Sequence, residues 1–259
     1  MSDDGILLVD KEAGVTSHDV VARERRRTGL KTGHAGTLDP FATGLLLILL
    51  GRATRIQRYV MDLPKSYITT AHLGWKSTTG DRDGEISRGE EPHALSLQIG
   101  TQLHEPPAFS ARKVGGRRAY KLARAGEAVE LEAREVTVYR ADLLSHDGDR
   151  ATFAIECSAG TYIRSLIMGL NDAYCETLRR TAIGPFNVED AGTFVPLNDA
   201  LNFIPSVMLF GDHARQAAHG VAVPGTAEAV VRLIDADGLV ALAEPRPDGT
   251  LKPIVGFRG

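Results

Sequence analysis

The chain has 259 residues, 43% hydrophobic and 24% charged, with a formal net charge of −3. That is the composition of an ordinary soluble globular protein, with room for a sizeable core in one or two domains. Its longest apolar run, Leu45 to Leu50, is too short to span a bilayer, and Met1-Ser2-Asp3-Asp4 lacks the basic opening of a signal peptide, so a cytoplasmic protein with no membrane partner is expected. Cys157 and Cys175 are too few for a disulfide framework, and the eight histidines show no zinc-type pairing.

Gly5 to Asp10 reads as a short buried strand. Ser17 reads as the N-cap of a helix through Val20, Val21 and the arginines, stopping near Gly29. The stretch from Gly33 to Gly44 then places three glycines, His34 and Asp39-Pro40 ahead of a strand at 45–50. A loop so rich in permissive residues, delivered by a buried strand, is where a scaffold presents one reactive side chain, here Asp39. Ala53 to Met61 reads as a helix with Arg55 and Arg58 on its basic face, Lys65 to Leu73 as a strand ended by Gly74, and Ser77 to Glu91 as a polar loop.

Pro106-Pro107-Ala108-Phe109 punctuates the middle of the chain, before a predicted helix from Arg118 to Ala125. Val136 to Ser145 and Arg150 to Cys157 suit a strand pair turning at Asp147-Gly148-Asp149, and Tyr162 to Leu170 suits a helix. Leu178 to Ile183 ends at Gly184-Pro185. Mixed α and β elements without regular βαβ alternation predict an α+β architecture with a largely antiparallel sheet. After Ile204-Pro205 the chain becomes Gly/Pro-rich with short alternating runs, which predicts a small β-barrel-like module at 206–259 appended to a domain at 1–205.

Charge is segregated. Arg112, Lys113, Arg117, Arg118, Lys121 and Arg124 form a basic stretch without an acid among them, and two further clusters surround Arg25 and Arg55. A local basic face can bind phosphates whatever the net charge, although each cluster by itself also suits a solvated helix face. Taken alone, Asp39 is an Asp-Pro turn, Tyr67 a half-buried strand aromatic, Arg164 a helix-face arginine, Asp81 a turn former and His34 a backbone-bonded loop residue. Together they offer a carboxylate, a cation to keep it ionised and an aromatic face for a planar base. From spacing alone, the reading stops at a carboxylate-dependent enzyme acting on RNA.

Gly33-His-Ala-Gly-Thr-Leu-Asp-Pro-Phe-Ala-Thr-Gly44 closely resembles the catalytic motif of bacterial tRNA pseudouridine-55 synthases, the TruB family. Gly5 to Lys11, Gly14 to Val21, Lys65-Ser-Tyr67, Thr79 to Gly84, Pro106 to Ala111, Arg118 to Arg124, Gly160-Thr-Tyr-Ile-Arg164 and Leu178 to Phe186 match in the family's order, covering nearly all of residues 5–190. The tail resembles the small RNA-binding module of the PUA type. The resemblance implies the pseudouridine synthase fold, with Asp39 as nucleophile, Tyr67 stacked on a flipped uracil and assisting proton transfer, and Arg164 paired with Asp39. Asp81 joins that network, and His34 fills the space of the everted T-loop nucleotides. Lys65, Tyr162 and Leu178 line the base pocket, and Arg112, Lys113, Arg118, Lys121 and Arg179 contact RNA. It implies a monomer acting on the tRNA T-arm stem-loop, with no metal or organic cofactor.

The chain departs from the family at Glu12, where proline is usual, and at Glu24, on the expected apolar helix face. It also looks short between 91 and 106, between 170 and 178, and around 198–205. Two other readings keep the RNA partner: a non-catalytic tRNA-binding or folding module, and a guide-RNA-dependent rRNA enzyme. The intact set Asp39, Tyr67 and Arg164 disfavours the first, and the short tail without long basic extensions disfavours the second.

Overall fold

The computed structural model describes residues 4–105, 107, 113–114, 117–118 and 132–258. The N-terminal part runs β1 (Gly5–Lys11), α1 (Ser17–Thr28), β2 (Thr32–Ala35), β3 (Thr43–Leu50), a 3-10 stretch (Gly51–Ile56) and α2 (Gln57–Met61). Next come β4 (Lys65–Leu73), β5 (Trp75–Ser77), β6 (Ile86–Arg88), β7 (Gly100–His104), β8 (Lys113–Val114) and β9 (Arg117–Arg118). The second half holds β10 (Arg134–Asp147), β11 (Arg150–Cys157), α3 (Ile163–Met168), β12 (Ala173–Ile183), β13 (Phe186–Asn187) and β14 (Phe194–Pro196). Last are β15 (Ser206–Met208), α4 (Asp212–Ala218), β16 (Val223–Pro224), β17 (Val231–Asp235), β18 (Gly238–Pro245) and β19 (Thr250–Gly256).

Among the described residues, ten strands form one mixed sheet with the path β14-β1-β3-β12-β4-β11-β10-β7, β2 lying beside β3 and β13 beside β12. Its ladders are antiparallel apart from a short parallel contact of Arg179 and Arg180 with Thr43 and Gly44. The expected largely antiparallel α+β sheet is therefore present.

The leucine run explains how the sheet is buried. Strand side chains alternate, and β3 lies between two apolar layers, so every residue from Leu45 to Leu50 is apolar. Leu45, Leu47 and Leu49 enter a core with Ile6 and Leu8, while Leu46, Ile48 and Leu50 meet Val20 and Val21 of α1. A third core, under β4, β11, α3 and β12, holds Leu38, Phe41, Tyr67, Ile163, Leu166 and Leu178, and carries the candidate site.

The C-terminal segment makes its own five-stranded sheet, β15-β17-β18-β19-β16, antiparallel except for β15 with β17, and α4 packs on its core. Its other side is joined to the main body: Leu239, Leu242 and Phe257 share a core with Ile6 and Leu47. Arg55 donates to the Gly256 carbonyl at 2.7 Å, and Arg52 bonds both Asp4 and the Phe257 carbonyl. Two arginines of the third basic cluster thus tie the C-terminal segment to the main body.

Several expectations need correction. The N-cap of α1 is Thr16, not Ser17. Its side chain accepts from Asp19 N–H while Asp19 reaches back to the Thr16 N–H, a reciprocal capping box, and the helix stops at Gly29 in the left-handed region. Glu24 on the buried face is balanced by Arg23 and Arg27 at 3.2 and 2.7 Å. The polar loop 77–91 contains β6, which pairs with β5. The predicted helix 118–125 begins instead in a strand, since Arg118 belongs to β9; the remainder lies outside the described residues. The short link after Leu170 is a tight turn through Asn171, whose φ of 76° is one that asparagine tolerates, leading straight into β12.

Candidate active site

Asp39 occupies the loop between β2 and β3. Gly36 has a φ of +84°, and Gly44, at +102°, lies so close to β12 that a Cβ would meet the Arg180 carbonyl oxygen at 2.2 Å. The loop between them is pinned from below. Leu38, Phe41 and Ala42 are buried in the core, and the Ser17 hydroxyl accepts the Leu38 N–H at 2.9 Å while donating to the Leu38 carbonyl at 3.2 Å. The Pro40 carbonyl accepts from Gly14 N–H at 2.8 Å and from the buried Lys11 ammonium at 3.3 Å. Burial brings the Lys11 pKa down to about 8, with Asp39 acting in the opposite direction. Ser17 thus serves the loop rather than the helix cap.

Facing Asp39 is Arg164, the second residue of α3 and 2% exposed. Its Nε and Nη2 lie 3.0 and 3.2 Å from the two Asp39 carboxylate oxygens. On the other side Nη1 lies 3.2 Å from Asp81 and donates to the Thr79 carbonyl at 2.7 Å. Asp81 is held in turn, accepting from the Thr79 hydroxyl at 2.6 Å and from Asp83 N–H at 3.1 Å. One guanidinium therefore bridges two carboxylates. Burial raises the Asp39 pKa, Arg164 works against that, and Asp81 adds to it. The Asp39 side chain nevertheless remains 31% exposed, opening onto a cavity.

That cavity is about 330 Å³ and is lined by Asp39, Lys65, Tyr67, Tyr162, Arg164 and Leu178, all six singled out from sequence, together with others including Met61, Arg134 and Arg180. Burial raises the Tyr67 pKa, so the side chain is a neutral phenol at physiological pH, with Arg180 as its hydrogen-bonding neighbour. Lys65 is buried at the start of β4, donates to the Met61 and Leu63 carbonyls, and has its pKa lowered to about 8 by burial, with Arg180 adding to the effect. Asp39 is the one carboxylate among the described lining residues, against Lys65, Arg134, Arg164 and Arg180.

The remaining sequence candidates fall elsewhere. Asp81 stands behind Arg164, and His34 lies on β2, away from the lining. The side chains of Arg112, Lys113, Arg118 and Lys121 lie outside the described residues. Arg179 faces away and pairs with Asp10 at 2.7 Å, with 40% of its side chain exposed. Its neighbour Arg180, 1% exposed, enters the wall and donates to the Leu45 and Gly36 carbonyls at 2.7 and 3.0 Å. Arg180→Met is expected to cost about 2–4 kcal/mol by orphaning those carbonyls, and Arg179→Ala less than about 1 kcal/mol. Urea denaturation of both variants checks the contrast. Among the described residues no group of three or more His, Cys, Asp or Glu converges as a metal site.

Three comparisons bear on this geometry. The family model described as TruB family pseudouridylate synthase (N terminal domain) matches residues 23–163. A tRNA pseudouridine synthase B of Thermobifida fusca (strain YX) is 42% identical, covering 99% of each chain, and one of Leifsonia xyli subsp. xyli (strain CTCB07) is 39% identical, covering 98% of this chain and 93% of its own. The first alignment spans 291 residues, more than the 259 of this chain. Among solved structures, a Cbf5-Nop10-Gar1 complex includes a chain that matches with a TM-score of 0.70 at 27% identity, covering 93% of this chain and 78% of that one.

Proposed function

The chain belongs to the TruB family of pseudouridylate synthases, and from that premise we propose that it converts one uridine of the tRNA T-loop, at position 55, into pseudouridine with Asp39 as nucleophile. The observation that carries this reading is the Asp39 carboxylate opening onto a cavity of about 330 Å³, with Arg164 on its two oxygens and Tyr67 in the wall. The volume lies at the small end of ligand pockets, suited to one flipped nucleoside.

The reaction makes modest demands that these side chains meet. The N1–C1′ bond breaks as Asp39 forms an adduct, at ribose C1′ or at uracil C6. The base turns, C5 bonds to C1′ and the bond to Asp39 breaks, returning the free carboxylate; the C5 proton leaves and N1 gains a proton. No redox equivalent or group donor enters the balance. Arg164 keeps the crowded Asp39 ionised and aimed, and Asp81 holds Arg164 against it. The Tyr67 ring holds the extruded uracil, its neutral phenol close to the sugar for proton transfer. Lys65, Tyr162 and Leu178 complete the base pocket. The cationic lining suits a phosphodiester chain despite the protein's net charge of −3.

His34 is assigned to the space of the everted nucleotides, and Arg112, Lys113, Arg118, Lys121 and Arg179 to the RNA backbone. Residues 206–259 are read as a PUA-like RNA-binding module on a catalytic domain at 1–205, a division supported by the separate five-stranded sheet. The tRNA reading is preferred to an rRNA one because relatives named for tRNA align at 39–42% identity over at least 93% of both chains. The solved Cbf5 assembly matches at 27%. Incubation with an unmodified T-arm stem-loop, followed by chemical mapping, is expected to reveal pseudouridine at that one T-loop position. Modification at other uridines alone, or none by folded protein, contradicts the assignment.

A further inference from the structure

The cavity contains an aromatic wall whose support comes from a residue outside the set just assigned. His104 ends β7, is 4% exposed, and sits opposite Arg134 in the β7–β10 ladder. Its Nε2 is 2.9 Å from the backbone nitrogen of Tyr162, which donates to it. An imidazole nitrogen accepts only when it carries no proton, so His104 is neutral with its hydrogen on Nδ1. The His104 and Tyr162 rings are nearly parallel, 6° apart in plane with centroids at 6.1 Å. The Arg134 guanidinium lies 5.4 Å from the Tyr162 ring centroid and also bonds the Gly160 carbonyl.

Tyr162 is the residue before α3 and has no side-chain cap. Its N–H is bonded to His104 at the peptide that enters the helix. Two residues later that helix delivers Arg164 onto Asp39. The same peptide thus governs one face of the base pocket and the approach of the cation.

We propose that neutral His104 is a positioning residue for the uridine site, holding Tyr162 and the start of α3 in place, and that its protonation loosens that wall. The proposal rests on the pseudouridine synthase reading for what the wall binds. Protonation removes the acceptor for Tyr162 N–H and sets a second cation against Arg134 directly across the ladder. Glu135, next to Arg134 on β10, is exposed and by strand alternation falls on the opposite face, and Glu105, just past the end of β7, is exposed. Burial, with Arg134 beside it, holds the His104 pKa below its ordinary 6.5, so the bond is intact at neutral pH.

His104→Leu keeps bulk and removes the acceptor, whereas His104→Gln supplies a neutral one. At pH 7.5 His104→Leu is expected to lower kcat/KM on a T-arm stem-loop by about 5–10-fold, the loss of one hydrogen bond. His104→Gln is expected to stay within about twofold of the wild type. Below pH 6.5 the wild type should lose activity more steeply than His104→Gln, which lacks the titrating imidazole. In the free protein, the Tyr162 amide resonance should move with the His104 titration and stay still in His104→Gln. A His104→Leu enzyme with wild-type kcat/KM overturns the proposal, as does a Tyr162 amide that ignores His104 titration. If His104→Leu fails to fold, coincident pH profiles of wild type and His104→Gln overturn it instead. Because the amide titration needs no substrate, a wild type that shows it but makes no pseudouridine refutes the functional reading and leaves the contact standing.

Discussion

Asp39→Asn is expected to lower the rate of isomerisation at least about 1,000-fold while leaving T-arm affinity within a few-fold of the wild type. The amide keeps the shape of the side chain and removes its nucleophilic oxygen. Phosphate contacts, which supply most RNA affinity, are untouched. The variant should also melt no lower than the wild type at neutral pH. Burial raises the Asp39 pKa in the folded state, so the native protein holds that proton more tightly than the unfolded chain does. Its stabilising contribution is complete below the unfolded value and is lost as pH rises through the folded one. At neutral pH the ionised carboxylate opposes folding, and asparagine removes that cost while Asp81 still pairs with Arg164 at 3.2 Å. Single-turnover kinetics, filter binding and a thermal melt on one preparation separate these effects. A slow variant that has also lost its fold or its RNA affinity would point to a structural role for Asp39.

Arg164→Met is expected to damage both stability and chemistry. Arg164 is the 2%-exposed cation between Asp39 and Asp81, and its removal leaves two close carboxylates without their shared partner. Breaking a buried pair from one side costs about 3–5 kcal/mol. The rate near neutral pH should fall by about 100-fold or more, because Asp39 loses both orientation and the interaction opposing its protonation. The sign is testable. Without Arg164 the Asp39 pKa rises further, so the acid limb of the pH–rate profile moves to higher pH and raising the pH restores part of the rate. Arg164→Lys keeps a charge but loses the two-oxygen contact, and should fold better while remaining well below wild-type activity. An unmoved acid limb in both variants contradicts this account of the pair.

Much of the site was legible from sequence because it sits on local motifs. The glycine-rich loop announced Asp39, and the helix expected from Tyr162 carried both Tyr162 and Arg164. What sequence missed depended on register between distant strands. Arg180 shares a buried face with Leu178 while Arg179 points away, which two-residue alternation gives once β12 is recognised as a strand. The apparent clipping before Leu178 hid that strand, which in fact begins at Ala173. His104 carried no local signal; its significance arises from pairing with Arg134 across a ladder and from the Tyr162 peptide, 58 residues away. The leucine run was visible as a strand, but its two-sided burial needed both α1 and the C-terminal segment. Ser17 looked like a cap because Thr16 beside it offers the same chemistry, and only the distant Leu38 peptide distinguishes them.

The role proposed for the Asp39 carboxylate is to drive exchange of an N1–C1′ bond for a C5–C1′ bond. That exchange must expel the hydrogen on C5. The direct test is tritium release to water from T-arm RNA labelled at C5 of its uridines, with wild-type and Asp39→Asn proteins side by side. One equivalent per stem-loop is expected from the wild type and none above background from the variant. Equal release by both would contradict it.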